Sequence, residues 1–122
     1  MTRPNPRRSL GAAGEAAVAA WYEARGQRVI DRNWRCRYGE LDLVVIAPGA
    51  TVVFCEVKTR RSARFGAPYE AVTAAKQRRL RGLAARWLAE HPHRSVSVRF
   101  DVASVYARDG HEPIVEVLEH AF

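Results

Sequence analysis

Four charged side chains whose spacing could support chemistry lie in two apolar segments of the chain. Glu40 and Asp42 fall in the first segment, and Glu56 and Lys58 in the second, with a Pro-Gly turn at residues 48–50 between them. Apolar, β-branched runs on both sides of such a turn predict a β-hairpin. With a three-residue loop, Asp42 should face Glu56 and Glu40 should face Lys58. Since strand side chains alternate with period two, all four should project from one face.

Two opposed carboxylates in an otherwise apolar hairpin repel each other, and burial of an unpaired charge is costly. A divalent cation between Asp42 and Glu56 would let both stay ionised, and hard cations such as Mg²⁺ bind carboxylate oxygens. Lys58 would then add a positive charge beside the site, where it could assist an attacking water or a phosphate. The alternative is a surface ion-pair cluster, Glu40 with Lys58, that has no chemical role.

The segments that carry these residues, GELDLV and FCEVKTR, are similar to a known family. Together with the upstream Glu15 and the downstream KQRRL, they resemble the YraN family of small bacterial predicted endonucleases. That family is part of the PD-(D/E)-x-K restriction-endonuclease-like superfamily and is similar to archaeal Holliday-junction resolvases. The resemblance runs from Gly14 to Phe122, and Leu41 stands where the superfamily motif has proline.

The resemblance implies an α/β fold with a restriction-endonuclease-like core. It also implies a metal-dependent endonuclease that hydrolyses phosphodiester bonds in DNA, with branched or structured DNA suggested by family analogy alone. Mg²⁺ or Mn²⁺ would be held by Asp42, Glu56, the Val57 carbonyl and Glu15. Catalysis would depend on the same three carboxylates, with Lys58 for the water and Gln77 for the substrate backbone. A resolvase-like role would require a symmetric homodimer.

Hydrophobic periodicity predicts a mixed sheet of about five strands flanked by two helices, in the order α-β-β-β-α-β-β. We expect a disordered basic tail over residues 1–9 and one nuclease-like domain over residues 10–122. The predicted elements are helices at residues 10–25 and 73–90 and strands at residues 27–35, 38–47, 51–59, 95–105 and 114–118.

Two polar residues fall on the inward faces of the predicted helices. Glu15 precedes Val18 by three positions and Tyr22 by seven, and Gln77 precedes Leu80 by three. Glu15 could form a salt bridge with an arginine or complete the site, and the resemblance favours the site. Gln77 could contact the substrate backbone or hydrogen-bond to a neighbouring loop, and the spacing leaves both interpretations open.

Positive charge is concentrated directly after the predicted site. The chain carries a net charge of +7, with nine basic residues and one acidic residue between Lys58 and Arg86. Such a surface is typical of proteins that bind the phosphate backbone of nucleic acid. Most aromatic residues fall at core positions, so we do not expect stacking on single strands. The predicted phosphate contacts are Arg60, Arg61, Arg64, Lys76, Arg78, Arg79, Arg81 and Arg86.

Two other functions fit the same residues: a non-catalytic nucleic-acid-binding protein on a nuclease scaffold, and a basic module that binds an acidic protein. Cys36 and Cys55 have no metal-ligand spacing, and Asp101 on the fourth strand is expected to be structural. No signal peptide and no membrane-spanning run are evident, so the expected location is the cytoplasm, without membrane association.

Overall fold

The computed structural model describes residues 6–61, 72–92 and 97–122. Its elements follow the order α-β-β-β-α-β-β, which confirms the predicted α/β fold and is consistent with a restriction-endonuclease-like core. Most of the loop predicted between the third strand and the second helix lies outside the described residues. The elements are α1 (Pro6–Glu23), β1 (Arg28–Cys36), β2 (Gly39–Ala47), β3 (Thr51–Arg60), α2 (Ala74–Glu90), β4 (Ser97–Tyr106) and β5 (Ile114–Leu118).

The five strands form one mixed sheet in the order β1-β2-β3-β4-β5. Neighbouring strands are antiparallel except β3 and β4, which run parallel and are joined through α2, as parallel neighbours require a crossover. The predicted hairpin register is confirmed where the ladder is regular, since Ile46 pairs with Val52 and Val44 with Phe54. Gly49 and Ala50 close the hairpin with positive φ angles of 78° and 56°.

The central strands bury both faces, one under each helix. On one face, Leu80, Leu83 and Trp87 of α2 pack against a cluster that includes Phe54. On the other face, Tyr22 of α1 packs into a second cluster with residues of β2, β3 and β4. Within the described ranges, neither helix is both long enough and apolar enough to cross a membrane.

The helix ends follow from local sequence. Helix α1 begins at Pro6, four residues before its predicted start, because proline is favoured in the first turn, where no backbone N–H is needed. Residues 6–9 of the predicted tail are therefore helical, and residues 1–5 lie outside the described residues. Gly26, with φ of 76°, follows α1 in the turn to β1. Thr73 caps α2 by accepting a hydrogen bond from the Lys76 N–H at 3.1 Å.

Helix α1 approaches β3 closely at Gly14. A Cβ at this position would overlap the hydroxyl of Thr59 and lie 2.9 Å from the Thr59 Cβ, which is closer than packed carbon atoms allow. A Cβ at Gly11, one turn earlier, would meet nothing within 4 Å. Because Glu15 is the next residue along the helix, the Gly14 contact sets how close Glu15 comes to the sheet.

Substitution of Gly14 should therefore destabilise the fold, whereas substitution of Gly11 should not. We expect Gly14→Ala to lower the free energy of unfolding by about 1–3 kcal/mol, since the overlap with Thr59 forces the backbone to shift. Gly11→Ala is the matched control and should be neutral or stabilising by up to about 1 kcal/mol, because alanine favours helix. Urea unfolding of both variants tests this. Equal stability of the two variants would contradict the close approach.

Candidate active site

Three carboxylates converge at the end of the sheet where β2 begins. Glu15 reaches this point from α1, and Glu40 and Asp42 from β2. Each offers a carboxylate oxygen, and these three oxygens all lie within 4.8 Å of one another. All three residues are half-buried. Negative charges at this separation repel, so the group favours either protons or a cation.

Asp42 occupies the place where the hairpin ladder opens. The regular β2–β3 pairing ends at Leu43 opposite Cys55, one pair before the predicted contact between Asp42 and Glu56. Beyond that point the Val57 N–H donates to the Asp42 carboxylate at 2.8 Å. Burial raises the pKa of Asp42 to about 7, the charge of Glu56 adds to the rise, and the Val57 N–H partly offsets it.

Glu15 faces the site from the inward side of α1, as its spacing predicts. Burial raises its pKa, and the neighbouring Asn33 side-chain amide opposes the rise. Asn33 belongs to β1 but has a φ of 51°, a left-handed conformation that asparagine tolerates. The salt bridge of Arg35 goes to Glu40, with Nε and Oε2 2.6 Å apart. Within the described ranges, the structure therefore gives Glu15 no arginine salt bridge, and it joins the carboxylate group instead.

Glu56 lies between two lysines. Its Oε1 is 2.7 Å from the Lys76 Nζ and 4.0 Å from the Lys58 Nζ. The neighbouring Lys76 lowers the pKa of Lys58, and burial lowers it further. Burial also acts to lower the pKa of Lys76, but its ion pair with the Glu56 carboxylate outweighs this effect and leaves the pKa raised. Glu56 is thus close to the site, with its carboxylate paired to Lys76.

Glu40 belongs to the carboxylate group, although the sequence does not predict it as a metal ligand. The hairpin register places it opposite Lys58, whereas the structure pairs it with Arg35. The available signal was its period-two spacing with Asp42, which places both side chains on one face of β2. That spacing alone does not separate a metal ligand from a surface ion pair.

A cleft of about 220 Å³ opens beside these groups. Acidic side chains form part of its wall, and Lys76 and Arg79 from the first turns of α2 form another part. The lining residues are Tyr38, Gly39, Glu40, Asp42, Glu56, Lys76, Arg79, Leu80 and Leu83. The cleft is therefore lined by both acidic and basic side chains, and residues of the first half of α2 form part of its wall.

Gln77 does not line this cleft. Its side-chain amide donates to the Val72 carbonyl at 3.3 Å, which is the loop contact considered as the alternative. A hydrogen bond of this kind holds the start of α2 against the preceding residues. A contact between Gln77 and a bound substrate stays a prediction.

The basic residues predicted to contact phosphate differ in their exposure and in their neighbours. Arg61 and Arg78 are exposed, Arg60 is half-buried, and Arg64 lies outside the described residues. Arg81 lies over the Phe100 ring, with its guanidinium carbon 4.9 Å from the centroid. Lys76 is engaged with Glu56, Arg79 lines the cleft, and Arg86 contacts Tyr38.

The Glu15–Glu40–Asp42 group fits a hard divalent cation. Its donors are carboxylate oxygens, which are the ligands that Mg²⁺ and Mn²⁺ prefer, and no thiolate or imidazole is among them. A cation would offset the repulsion among these carboxylates and the cost of burying the Asp42 charge, which is the main reason that the pKa of Asp42 is raised. The predicted ligands Glu56 and the Val57 carbonyl lie next to this group along β3, and their coordination stays a prediction.

Asp101 shows how another aspartate of this fold obtains its hydrogen bonds from protein groups alone, without a metal ion. It is fully buried, yet it accepts hydrogen bonds from the Tyr22 hydroxyl at 2.6 Å and from Arg99 Nε and Nη2 at 2.9 Å each. The His120 N–H adds a fourth hydrogen bond at 3.1 Å. These contacts give Asp101 the structural role expected from the sequence.

Comparison with known proteins extends over most of the chain. Residues 14–105 match the model of a family described as "Uncharacterised protein family UPF0102". A UPF0102 protein of Frankia alni is 55% identical over 115 residues, which cover 93% of this chain and 94% of that protein. A UPF0102 protein of Nocardia farcinica is 45% identical over 122 residues, covering 100% and 95%. The YraN family is this same family, so the resemblance is confirmed. These names state no activity.

The Asp42 environment predicts a stability gain when its charge is removed. Because the native pKa is raised from 3.8 to about 7, the folded protein holds this proton more tightly than the unfolded chain does. As the pH rises from about 4 to about 7, the tendency of Asp42 to ionise should therefore lower the free energy of unfolding progressively. Above pH 7 this destabilisation should stay constant. In EDTA at pH 8, we expect Asp42→Asn to be more stable than wild type by about 2 kcal/mol.

Urea unfolding from pH 4 to pH 8 measures this difference, which should shrink toward pH 4. Asp109→Asn is the matched control, since Asp109 is exposed in a turn, and it should change stability little at any pH. A destabilised Asp42→Asn variant at pH 8 would refute the interpretation that this carboxylate is strained.

Glu40 should be required for cation binding. Excess Mn²⁺ should stabilise the wild-type protein by roughly 3 kcal/mol when its concentration exceeds the dissociation constant about a hundredfold. In Glu40→Gln this gain should largely disappear, because one carboxylate of the group is lost. Thermal unfolding of each variant is measured with and without Mn²⁺. Because the Arg35 ion pair is lost from Glu40→Gln in both conditions, the difference between them reports the metal-dependent stabilisation alone. Glu116→Gln, on the exposed face of β5, should retain the full gain.

Proposed function

This chain belongs to the uncharacterised protein family UPF0102, and we propose that it is a metal-dependent nuclease that hydrolyses phosphodiester bonds in DNA. The observation that carries the proposal is the group of three carboxylates within 4.8 Å of one another, two of which, Glu40 and Asp42, line a cleft that also contains basic side chains. Phosphodiester hydrolysis needs both parts, because carboxylates hold the cation and basic groups offset phosphate charge.

The proposed cofactor is Mg²⁺ or Mn²⁺, held by Glu15, Glu40 and Asp42, with Glu56 and the Val57 carbonyl available beside them. When bound, such a cation polarises the phosphate and neutralises the charge that develops on its oxygens. Glu15, on α1, and Asp42, on β2, come from different elements, so the ligand set depends on the packing of the helix against the sheet. The Val57 N–H orients Asp42 through their 2.8 Å hydrogen bond.

Lys58 is the proposed partner of the attacking water. It follows Glu56 by two residues on β3, and its ammonium group lies 4.0 Å from the Glu56 carboxylate. From this position it would orient the water and offset negative charge in the transition state. Lys76 holds Glu56 from the other direction, at 2.7 Å, and so restricts where that carboxylate can point.

The substrate backbone would extend from the cleft over the outer face of α2. Arg79 lines the cleft, and both Arg79 and the neighbouring Arg78 are exposed, so both can meet phosphate oxygens. Such contacts position nucleic acid without reading its sequence. Branched DNA as the substrate, with the homodimer that it would require, is a part of the proposal that rests on family analogy, and a cytoplasmic setting is proposed from the sequence alone.

Cleavage of labelled DNA tests the proposal directly. We expect wild-type protein to cut DNA only when Mg²⁺ or Mn²⁺ is present, and EDTA to stop the reaction. Asp42→Asn should lose cation binding, and Lys58→Ala should lose charge stabilisation, so each should lower the rate by roughly 100-fold or more. Linear duplex, single-stranded and four-way-junction DNA are compared in the same assay to rank substrates.

Arg28→Ala is the matched charge control. It removes one exposed positive charge at the start of β1, opposite Ile46 and away from the cleft, and it should leave the rate unchanged. If no substrate is cut with either metal, while DNA binding survives in Asp42→Asn and Lys58→Ala, the nuclease proposal fails. The protein would then be a non-catalytic nucleic-acid-binding member of its family.

A further inference from the structure

Tyr38 is an exposed aromatic side chain at the mouth of the cleft. Its relative exposure is 49%, and among the aromatic residues in ranges 6–61, 72–92 and 97–122 it alone is exposed. It also lines the same cleft as Glu40 and Asp42. This position departs from the sequence expectation that the aromatic residues lie mostly in the core.

The guanidinium groups of two arginines lie close to the Tyr38 ring. The guanidinium carbon of Arg86 lies 3.8 Å from the ring centroid, and that of Arg37 lies 5.1 Å away. The shorter distance is that of a cation stacked on an aromatic face. Arg86 therefore limits the motion of the ring while about half of the residue remains open to solvent.

The fold fixes this ring beside α2. Gly39, directly after Tyr38, has a φ of 145°, and a Cβ placed there would lie 3.2 Å from a Leu83 methyl carbon. The β1–β2 turn thus rests against Leu83, three positions before Arg86 on the same face of the helix. Arg79, one helical turn before Leu83, lines the same cleft as Tyr38, Glu40 and Asp42.

We propose that Tyr38 is a base-stacking subsite, so that the substrate is a nucleic acid strand with an unpaired base next to the reacting phosphate. The inference rests on the proposed function for the position of that phosphate, but the stacking contact itself does not require cleavage. An aromatic face beside cationic groups matches the two parts of a nucleotide, since the ring takes the base and arginines take the phosphate.

The unpaired state of the base follows from geometry. Inside a duplex both faces of a base are covered by its neighbours, so a protein ring can stack on a base only where pairing has ended or been opened. Single strands, flaps and branch points provide such bases. Continuous duplex does not, and we expect it to gain nothing from Tyr38.

Binding without metal tests the subsite separately from catalysis. The probes are an oligodeoxynucleotide that contains 2-aminopurine, the matched continuous duplex, and a duplex that ends in a single-stranded flap, all in EDTA. Tyr38→Leu should weaken binding to the single strand and the flap by roughly tenfold, since stacking contributes about 1–3 kcal/mol per base. Binding to the continuous duplex should not change.

Tyr38→Phe should restore both the affinity and the quenching of 2-aminopurine fluorescence, because it keeps the ring. Tyr106→Leu is the matched control: Tyr106 also has an arginine near its ring, Arg108 at 5.6 Å, but it does not line the cleft. This control should bind like wild type.

The outcomes separate the two proposals. Metal-dependent cleavage with single-strand binding unaffected by Tyr38→Leu would overturn the subsite and leave the nuclease proposal standing. Binding to unpaired DNA that depends on Tyr38, without cleavage, would support the subsite and overturn the nuclease. A protein that binds none of the probes in EDTA and cuts no substrate with either metal would overturn both.

Discussion

The repulsion among Glu15, Glu40 and Asp42 is the constraint on which the site depends. Their carboxylate oxygens lie within 4.8 Å of one another at half-buried positions, where charge is poorly screened. A fold gains nothing from such a group by itself, and burial, together with the charge of Glu56 and then those of Glu15 and Glu40, raises the pKa of Asp42. The arrangement persists because the rest of the structure over-determines it, and a bound cation would turn the repulsion into attraction.

Three separate contacts hold the group together. The close approach at Gly14 sets the height of α1 above β3, the Val57 N–H fixes the Asp42 carboxylate, and Arg35 holds Glu40. Elsewhere in the same sheet, Asp101 is fully buried, and both of its carboxylate oxygens accept hydrogen bonds. The contrast indicates that the fold can satisfy a buried carboxylate with its own groups, and that at the site it does so only in part.

Local patterns in the sequence were sufficient for most of the fold. Period-two alternation and the Pro-Gly turn predicted the hairpin register, and the Thr73 cap and the β5 boundaries agree with the structure. These features depend on neighbours a few residues apart, so local rules reach them. The predicted start of α1 lies four residues after the observed one. The Pro- and Arg-rich composition of the N-terminal residues indicates a loop, although proline is also favoured at the first position of a helix.

By itself, the sequence determined which residues could carry the chemistry, since GELDLV and EVK place carboxylates and a lysine at alternating positions on paired strands. Only the tertiary structure decided how they are grouped. It joined Glu40 to Glu15, paired Glu56 with Lys76, and brought Tyr38 under Arg86. Each of these contacts connects elements far apart in the chain or depends on where a strand ladder opens. Hydrophobic periodicity predicts which face of a helix or strand is buried, but it does not predict the distances between side chains on different elements.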